Sequence, residues 1–193
     1  PAIPDDNIFL KYFRKNGNNQ IYKRSEMLGE ISRQSKCIAV AGTHGKTTTS
    51  AIISHLFHSS GIHFKAFIGG IMKCFDSNFI NTGNDYIIVE ADEYDRSFLN
   101  LNPNYAVITS IESDHLDIYG DLKSLVESFQ SFTNNVKDVL ITDADIDIDK
   151  DFSFSIKSDS DYYVNNINIL ENEIRFDLKT PNNFYSNISA NII

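Results

Sequence analysis

At 193 residues, 41% of them hydrophobic, the chain can bury one sizeable core, which bounds it to a single main domain. Its net charge of −9 argues against nucleic acid or an anionic membrane surface as the main partner. A small anionic substrate stays open, because salt screens the global field within roughly 8 Å and local cations decide such binding.

The first 34 residues are polar and punctuated by Pro and Gly, and they read as a linker and the edge of a preceding domain. The opening Pro1-Ala2-Ile3-Pro4 carries no methionine and reads as a segment of something longer. Ile38–Ala41 is a short buried strand. Lys46–Ser60 follows as a helix with Ile52, Ile53, Leu56 and Phe57 on one face and Gly61 as its stop. Further strands are expected at Phe64–Ile68, Tyr86–Val89, Ala106–Ile111 and Val139–Ile141. A second helix is expected over Asp121–Phe132, with Leu122, Leu125, Val126 and Phe129 together. Strands alternating with helices predict an α/β fold, a mostly parallel sheet with helices on its faces. From about Asp151 the pattern changes to short runs broken by Asn and Asp, at Phe152–Ile156, Tyr162–Val164, Ile167–Leu170 and Ile174–Leu178. These predict antiparallel hairpins appended near the C-terminus. Cys37 and Cys74 have no disulfide-framework or metal-type spacing and read as small core or near-core residues in a reducing compartment. No apolar run approaches the roughly 20 residues of a membrane span, and no signal-peptide pattern is present.

The chemistry concentrates where strands end. Gly42-Thr43-His44-Gly45-Lys46-Thr47-Thr48 joins the first strand to the first helix. The general P-loop pattern requires a glycine at position 40, where this chain has Val40, so that motif fails. The physics of the shorter loop is the same. Small residues let backbone N–H groups approach phosphate oxygens, and the helix N-terminus adds partial positive charge. Lys46, expected to point into solvent or ligand, supplies a point charge, and the Thr47 hydroxyl can reach a magnesium ion. The plain alternative is a glycine-rich turn with a helix cap. Against it stand three successive threonines, Thr47 to Thr49, which are poor residues for an ordinary first turn. The strand Tyr86–Val89 empties into Glu90-Ala-Asp92-Glu93-Tyr-Asp95, and ligands gather beyond the carboxyl ends of parallel strands. Glu90 is therefore a candidate magnesium ligand, against the alternative of a solvated acidic strand end. His115 follows the next strand onto the same edge. His55 and His58 read as helix-surface positions.

In combination, these residues resemble the central ATP-binding domain of the Mur ligases. The matching pieces are Ala41–Thr49, Phe67-Ile-Gly-Gly70, Val89–Leu99, and Ala106 through Asp121 with its Asp114-His-Leu-Asp117 core, in family order over roughly residues 35–145. Pro1–Pro4 and Lys23–Glu26 also resemble the end of the family's first domain. The resemblance implies that residues 1–34 close an N-terminal UDP-binding domain and that residues 35–193 form a C-terminally incomplete ATP-binding domain. It further implies a cytoplasmic, ATP- and Mg2+-dependent ligase, in the branch that joins L-alanine to UDP-N-acetylmuramate through an acyl phosphate, with flanking N- and C-terminal domains completing the site. Gly42, Thr43, His44, Gly45, Lys46, Thr47 and Thr48 would cradle the phosphates. Thr47, Glu90 and His115 would hold metal, and Lys46, Glu90 and His115 would act in catalysis. Alternatives are the related ligase that recycles muramyl peptides, a P-loop-type kinase or NTPase, and an inert nucleotide-binding module. The alanine-adding branch is favoured by Gln130, which stands near the place of a modified lysine in several sister ligases. It is also favoured by the direct run from Ser97 to Pro103, where the recycling relative carries an insertion. One departure is at the end of the domain: Asn183-Phe184 replaces the family's His-Asn pair, and only Asn187 matches.

Overall fold

The computed structural model describes residues 3–4, 6–16, 21–112 and 116–191, with Leu116 and Asp117 described by their backbone alone. Two helices not anticipated from the sequence come first, α1 (Ile8–Lys15) and α2 (Arg24–Ser32). Their start signals are local: the Asn7 side chain accepts from the N–H groups of Phe9 and Leu10, and Glu26 accepts the Lys23 N–H. Helix α1 buries no residue, whereas α2 packs on the 3-10 segment Tyr94–Asn100. Gly29 permits that approach, since a Cβ there would stand 2.5 Å from the Asn100 carbonyl oxygen.

Strand β1 (Lys36–Ala41) leads into α3 (Lys46–Ser59), then β2 (Phe64–Met72), β3 (Ser77–Asn81), β4 (Tyr86–Glu90) and β5 (Tyr105–Ile108). Helices α4 (Leu116–Tyr119) and α5 (Leu122–Thr133) follow. The chain ends with β6 (Val139–Asp143), β7 (Phe152–Ser155), β8 (Tyr162–Ile169), β9 (Glu173–Lys179) and β10 (Phe184–Asn191). Among the described residues the ten strands make one sheet in the order β10-β9-β8-β7-β6-β5-β1-β4-β2-β3. β1 runs parallel to both its neighbours, with Val40 opposite Glu90 and Ala41 opposite Ile108. That register brings the ends of β4 and β5 to either side of the loop that leaves β1.

Period-2 alternation divides the core between the two faces of the sheet. Cys37, Ala39, Ala41, Ile87 and Val89 share one cluster with Phe98, Leu125, Phe129 and Phe132 of the segment after β4 and of α5. Phe98 stacks on Phe132 at 5.0 Å between centroids and meets Phe129 edge-on at 5.2 Å. Ile38 and Ile88 belong to the other cluster, with Phe64, Ala66 and Ile68, beneath Ala51, Ile53 and Phe57 of α3. The expected apolar face of α3 is corrected here, because Ile52 and Leu56 are exposed and Ser50 and Ser54 are buried. The Ser54 hydroxyl donates to the Ser50 carbonyl at 2.8 Å, while the buried Ser50 hydroxyl finds no hydrogen-bond partner among the described residues. In α5, Leu125 and Phe129 are buried as expected, whereas Leu122 is exposed.

The parallel part extends further than the sequence pattern predicts. β7 pairs parallel with β6 and β8 pairs parallel with β7, so at this end of the sheet antiparallel pairing begins with β9 and β10. At the opposite edge β2 and β3 also pair antiparallel. The runs expected separately at 162–164 and 167–170 are one strand, bulged at Asn166. β10 carries a second bulge, and the bulge residues Asn166 and Asn187 have φ of 50° and 54°, a region that asparagine tolerates. Asp177 joins the two bulges. One carboxylate oxygen accepts from Asn166 Nδ2 and the other from the Asn187 N–H, each at 2.7 Å. Among the described residues, no helix is long and apolar enough to cross a membrane.

Candidate active site

The loop after β1 is shaped by two glycines and strapped to the end of β5. Gly42 has φ of 127°, and a Cβ there would meet the Thr109 hydroxyl and stand 2.9 Å from the Ser110 nitrogen. Gly45, at φ 82°, is the N-cap of α3 and offers no capping side chain. The Thr43 N–H donates to the Ser110 carbonyl at 3.0 Å, and the His44 N–H donates to Ser110 Oγ at 3.1 Å. The Thr43 and Ser110 hydroxyls lie 2.9 Å apart, and the Glu112 N–H reaches Thr43 Oγ1 at 3.2 Å. Thr109 donates its hydroxyl to the carbonyls of Ala41 and His44. The first bond closing α3 is Thr49 N–H to the Gly45 carbonyl, at 2.9 Å. The preceding amides, from Gly45 to Thr48, therefore form the partly positive, uncapped helix start that suits a phosphate. Thr109 and Ser110 were not singled out by sequence reasoning. The only signal was a pair of hydroxyls at a strand end.

Lys46 does not point outward, which corrects the expectation for its side chain. Its ammonium lies 2.6 Å from the Gly42 carbonyl and 3.0 and 2.9 Å from the two oxygens of Glu93. The Lys46 side chain is 17% exposed and that of Glu93 is 0% exposed, so this is a buried ion pair at the mouth of the loop. Glu93 was missed as a functional residue because its neighbours Asp92, Tyr94 and Asp95 are exposed and resemble a solvated acidic end. The turn that follows explains how one acid of this run is drawn inward. Asp95 and Arg96 both adopt left-handed φ, 52° and 54°. The Glu93 carbonyl accepts the Arg96 N–H at 2.9 Å and the Tyr119 hydroxyl. Burial pushes the Tyr119 phenol above its ordinary pKa, against lowering by its Ser128 hydrogen bond and the nearby Arg96 charge. Arg96 also lies over the Tyr119 ring, 5.3 Å from its centroid.

Beside this pair, the Thr47 hydroxyl donates to Glu90 Oε2 at 3.0 Å, and the Gly69 N–H donates to Glu90 Oε1 at 2.6 Å. Gly69 is required by closeness, since a Cβ there would stand 2.8 Å from Glu90 Oε2. Oxygen donors in this exposed setting suit magnesium, a hard cation that keeps several of its waters. Thr48 and His44 are exposed, and His44 Nε2 lies 3.7 Å from Glu112 Oε2. His115 lies outside the described residues. Among the described residues, no three His, Cys, Asp or Glu side chains gather as a metal cluster. The structure thus brings Gly42, Thr43, Gly45, Lys46, Thr47 and Glu90 to one edge of the sheet. Asn187 lies on β10, at the far end of the same sheet.

The sequence profile of the Mur ligase middle domain matches residues 40–193. The chain belongs to the Mur ligase family. A relative from Christiangramia forsetii named UDP-N-acetylmuramate–L-alanine ligase is 44% identical over the whole chain, which spans 42% of that relative's length. Among Mur ligases of known structure, UDP-N-acetylmuramate-alanine ligase MurC from Thermotoga maritima superposes with a TM-score of 0.80 at 25% identity, covering 100% of this chain and 45% of that one. The UDP-N-acetylmuramate:L-alanyl-gamma-D-glutamyl-meso-diaminopimelate ligase from Neisseria meningitides reaches a TM-score of 0.78 at 19% identity, covering 95% and 64%. The second likeness concerns the fold alone. The loop from Gly42 and the acid at Glu90 both lie at the ends of strands in the parallel part of the sheet.

Proposed function

We propose that the chain is the ATP-binding part of a UDP-N-acetylmuramate–L-alanine ligase, an ADP-forming enzyme of peptidoglycan precursor synthesis. One observation carries the reading: the Thr47 hydroxyl and the Glu90 carboxylate meet at 3.0 Å beside a glycine-shaped, uncapped helix start. The name of the relative that is 44% identical over the whole chain supports the alanine-adding branch. Gln130 is exposed on α5, where the branch needs no modified lysine.

In this reading a muramyl carboxylate oxygen attacks the γ-phosphorus of ATP, the bond to the β-phosphate oxygen breaks, and ADP leaves an acyl phosphate. The L-alanine amine then attacks the acyl carbon, phosphate departs, and the amine proton passes to solvent or base. The first step brings anions together, so the site must supply positive charge. The amides from Gly45 to Thr48 and the loop from Gly42 to His44 hold the phosphates, and Lys46 balances charge on the transferred group. Thr47 and Glu90, joined by His115, would hold magnesium, which when bound draws charge from the phosphoryl oxygens. Residues 1–34 close a UDP-binding domain, residues 35–193 form the ATP-binding domain, and a further C-terminal domain brings the amino acid. The enzyme works in the cytoplasm on UDP-N-acetylmuramate and L-alanine. The test is ADP release by the intact protein, followed with and without each substrate. Release that requires both UDP-N-acetylmuramate and L-alanine supports the ligase. Release independent of both would instead mark an NTPase.

A further inference from the structure

We propose that Glu93 is a positioning residue that parks the phosphate-loop lysine, so that a nucleotide must take the Lys46 ammonium over from a buried carboxylate. The inference rests on reading Gly42 to Thr48 as a phosphate loop. An ammonium has three N–H donors and no acceptor. In this structure the Lys46 ammonium faces the Gly42 carbonyl at 2.6 Å, both Glu93 oxygens at 2.9 and 3.0 Å, and the Thr43 carbonyl at 3.5 Å. Its donors are thus occupied by the loop's own carbonyls and by Glu93.

Two further features show that this arrangement is built. Glu93 is completely buried, and a carboxylate is placed there only with compensating partners. The chain also accepts left-handed backbone at two successive non-glycine residues, Asp95 and Arg96, just beyond Tyr94, the neighbour of Glu93. The Tyr119 hydroxyl and the Arg96 N–H both donate to the Glu93 backbone carbonyl. The backbone that carries the carboxylate is therefore pinned, whereas the Lys46 ammonium sits at the end of a flexible four-carbon stem. Glu93 thus keeps the lysine ordered near its working position without nucleotide, and competes with phosphate for it.

The experiment measures ADP and inorganic tripolyphosphate affinity, by calorimetry, on the intact protein and on Glu93→Gln, Lys46→Gln and the double variant. Glu93→Gln keeps the shape of the side chain while removing the charge that holds Lys46. It is expected to tighten both ligands by about tenfold or more, the lower end of the scale of a hydrogen bond to a charged group. In the Lys46→Gln background the same change is expected to shift affinity less than about twofold, because no ammonium is left to release. An equal gain in both backgrounds would mean simple repulsion of phosphate by Glu93 and would overturn parking. No gain in either would overturn it too. If Lys46→Gln itself leaves affinity unchanged, the phosphate-loop reading fails instead. A second measurement needs no substitution: the Lys46 ammonium signal in nitrogen-15 NMR. It is expected to be protected from exchange in the free protein and to shift on adding ADP, and a signal unmoved by saturating ADP would overturn the proposal.

Discussion

Thr47 and Glu90 are separated by 43 residues of chain, yet the threonine hydroxyl donates to the glutamate carboxylate at 3.0 Å across the end of the sheet. The contact exists because β1 and β4 are hydrogen-bonded neighbours with Val40 opposite Glu90. Two hard oxygen donors therefore face one spot at the phosphate loop. Thr47→Val and Glu90→Gln are each expected to raise the magnesium concentration needed for half-maximal ligation by about tenfold or more. Their combined effect is expected to fall short of the product, since both serve one ion. Magnesium titrations of the single and double variants check this. Independent, multiplicative losses would place the two residues at separate sites.

Gly69→Ala tests how Glu90 is aimed. The added methyl would stand 2.8 Å from Glu90 Oε2, on the same residue whose N–H holds Oε1. Displacing a group that orients a metal ligand typically weakens metal affinity by about 10–100-fold. We expect a loss of that order in magnesium dependence, with thermal stability changed by no more than about 1–3 kcal/mol from local overpacking. A variant with normal magnesium dependence would show that Glu90 needs no help from Gly69.

Lys46→Ala is expected to remove ligation and also to destabilise the fold. Without the ammonium, a fully buried Glu93 carboxylate loses its cation at 2.9 Å. Breaking a buried pair from one side costs about 3–5 kcal/mol. Urea unfolding of Lys46→Ala beside Lys46→Ala/Glu93→Gln measures this, and the double variant is expected to recover part of the loss. A single variant as stable as the parent would show that the pair contributes nothing to folding.

The two cysteines are expected to differ sharply. Cys37 is buried on β1, and desolvation pushes its thiol from 9.0 up to about 12, while Cys74 is exposed. Thiolate is the reactive form. At pH 8 a disulfide reagent is expected to modify Cys74 in the folded protein and both thiols only in denaturant, as mass spectrometry of the labelled peptides would show. The sign for stability follows. The unfolded thiol loses its proton near pH 9 and the folded one only near 12, so this contribution is full below about 9 and falls as pH rises towards 12. Rapid labelling of Cys37 in the native state would contradict the burial.

The sequence by itself determined the elements whose signals are local. Apolar runs gave β1, β2, β4, β5 and β6, and glycines at 42 and 45 followed by Lys46 marked a phosphate-type loop, because strand period and left-handed φ are properties of a few adjacent residues. The cap at Asn7 and the Lys23–Glu26 pair were equally local signals for α1 and α2, but polar composition masked them. What only the tertiary structure decided is lateral. The order β5-β1-β4-β2 sets Ser110 against Thr43, Glu90 between Thr47 and Gly69, and Glu93 under Lys46, and no local pattern encodes which strand ends become neighbours. Burial was lateral as well: Ile52 and Leu56 look like core and face outward, whereas Glu93 looks like surface and lies completely buried. The hydrophobic pattern measures a residue's own chemistry, while burial depends on what the rest of the chain brings against it.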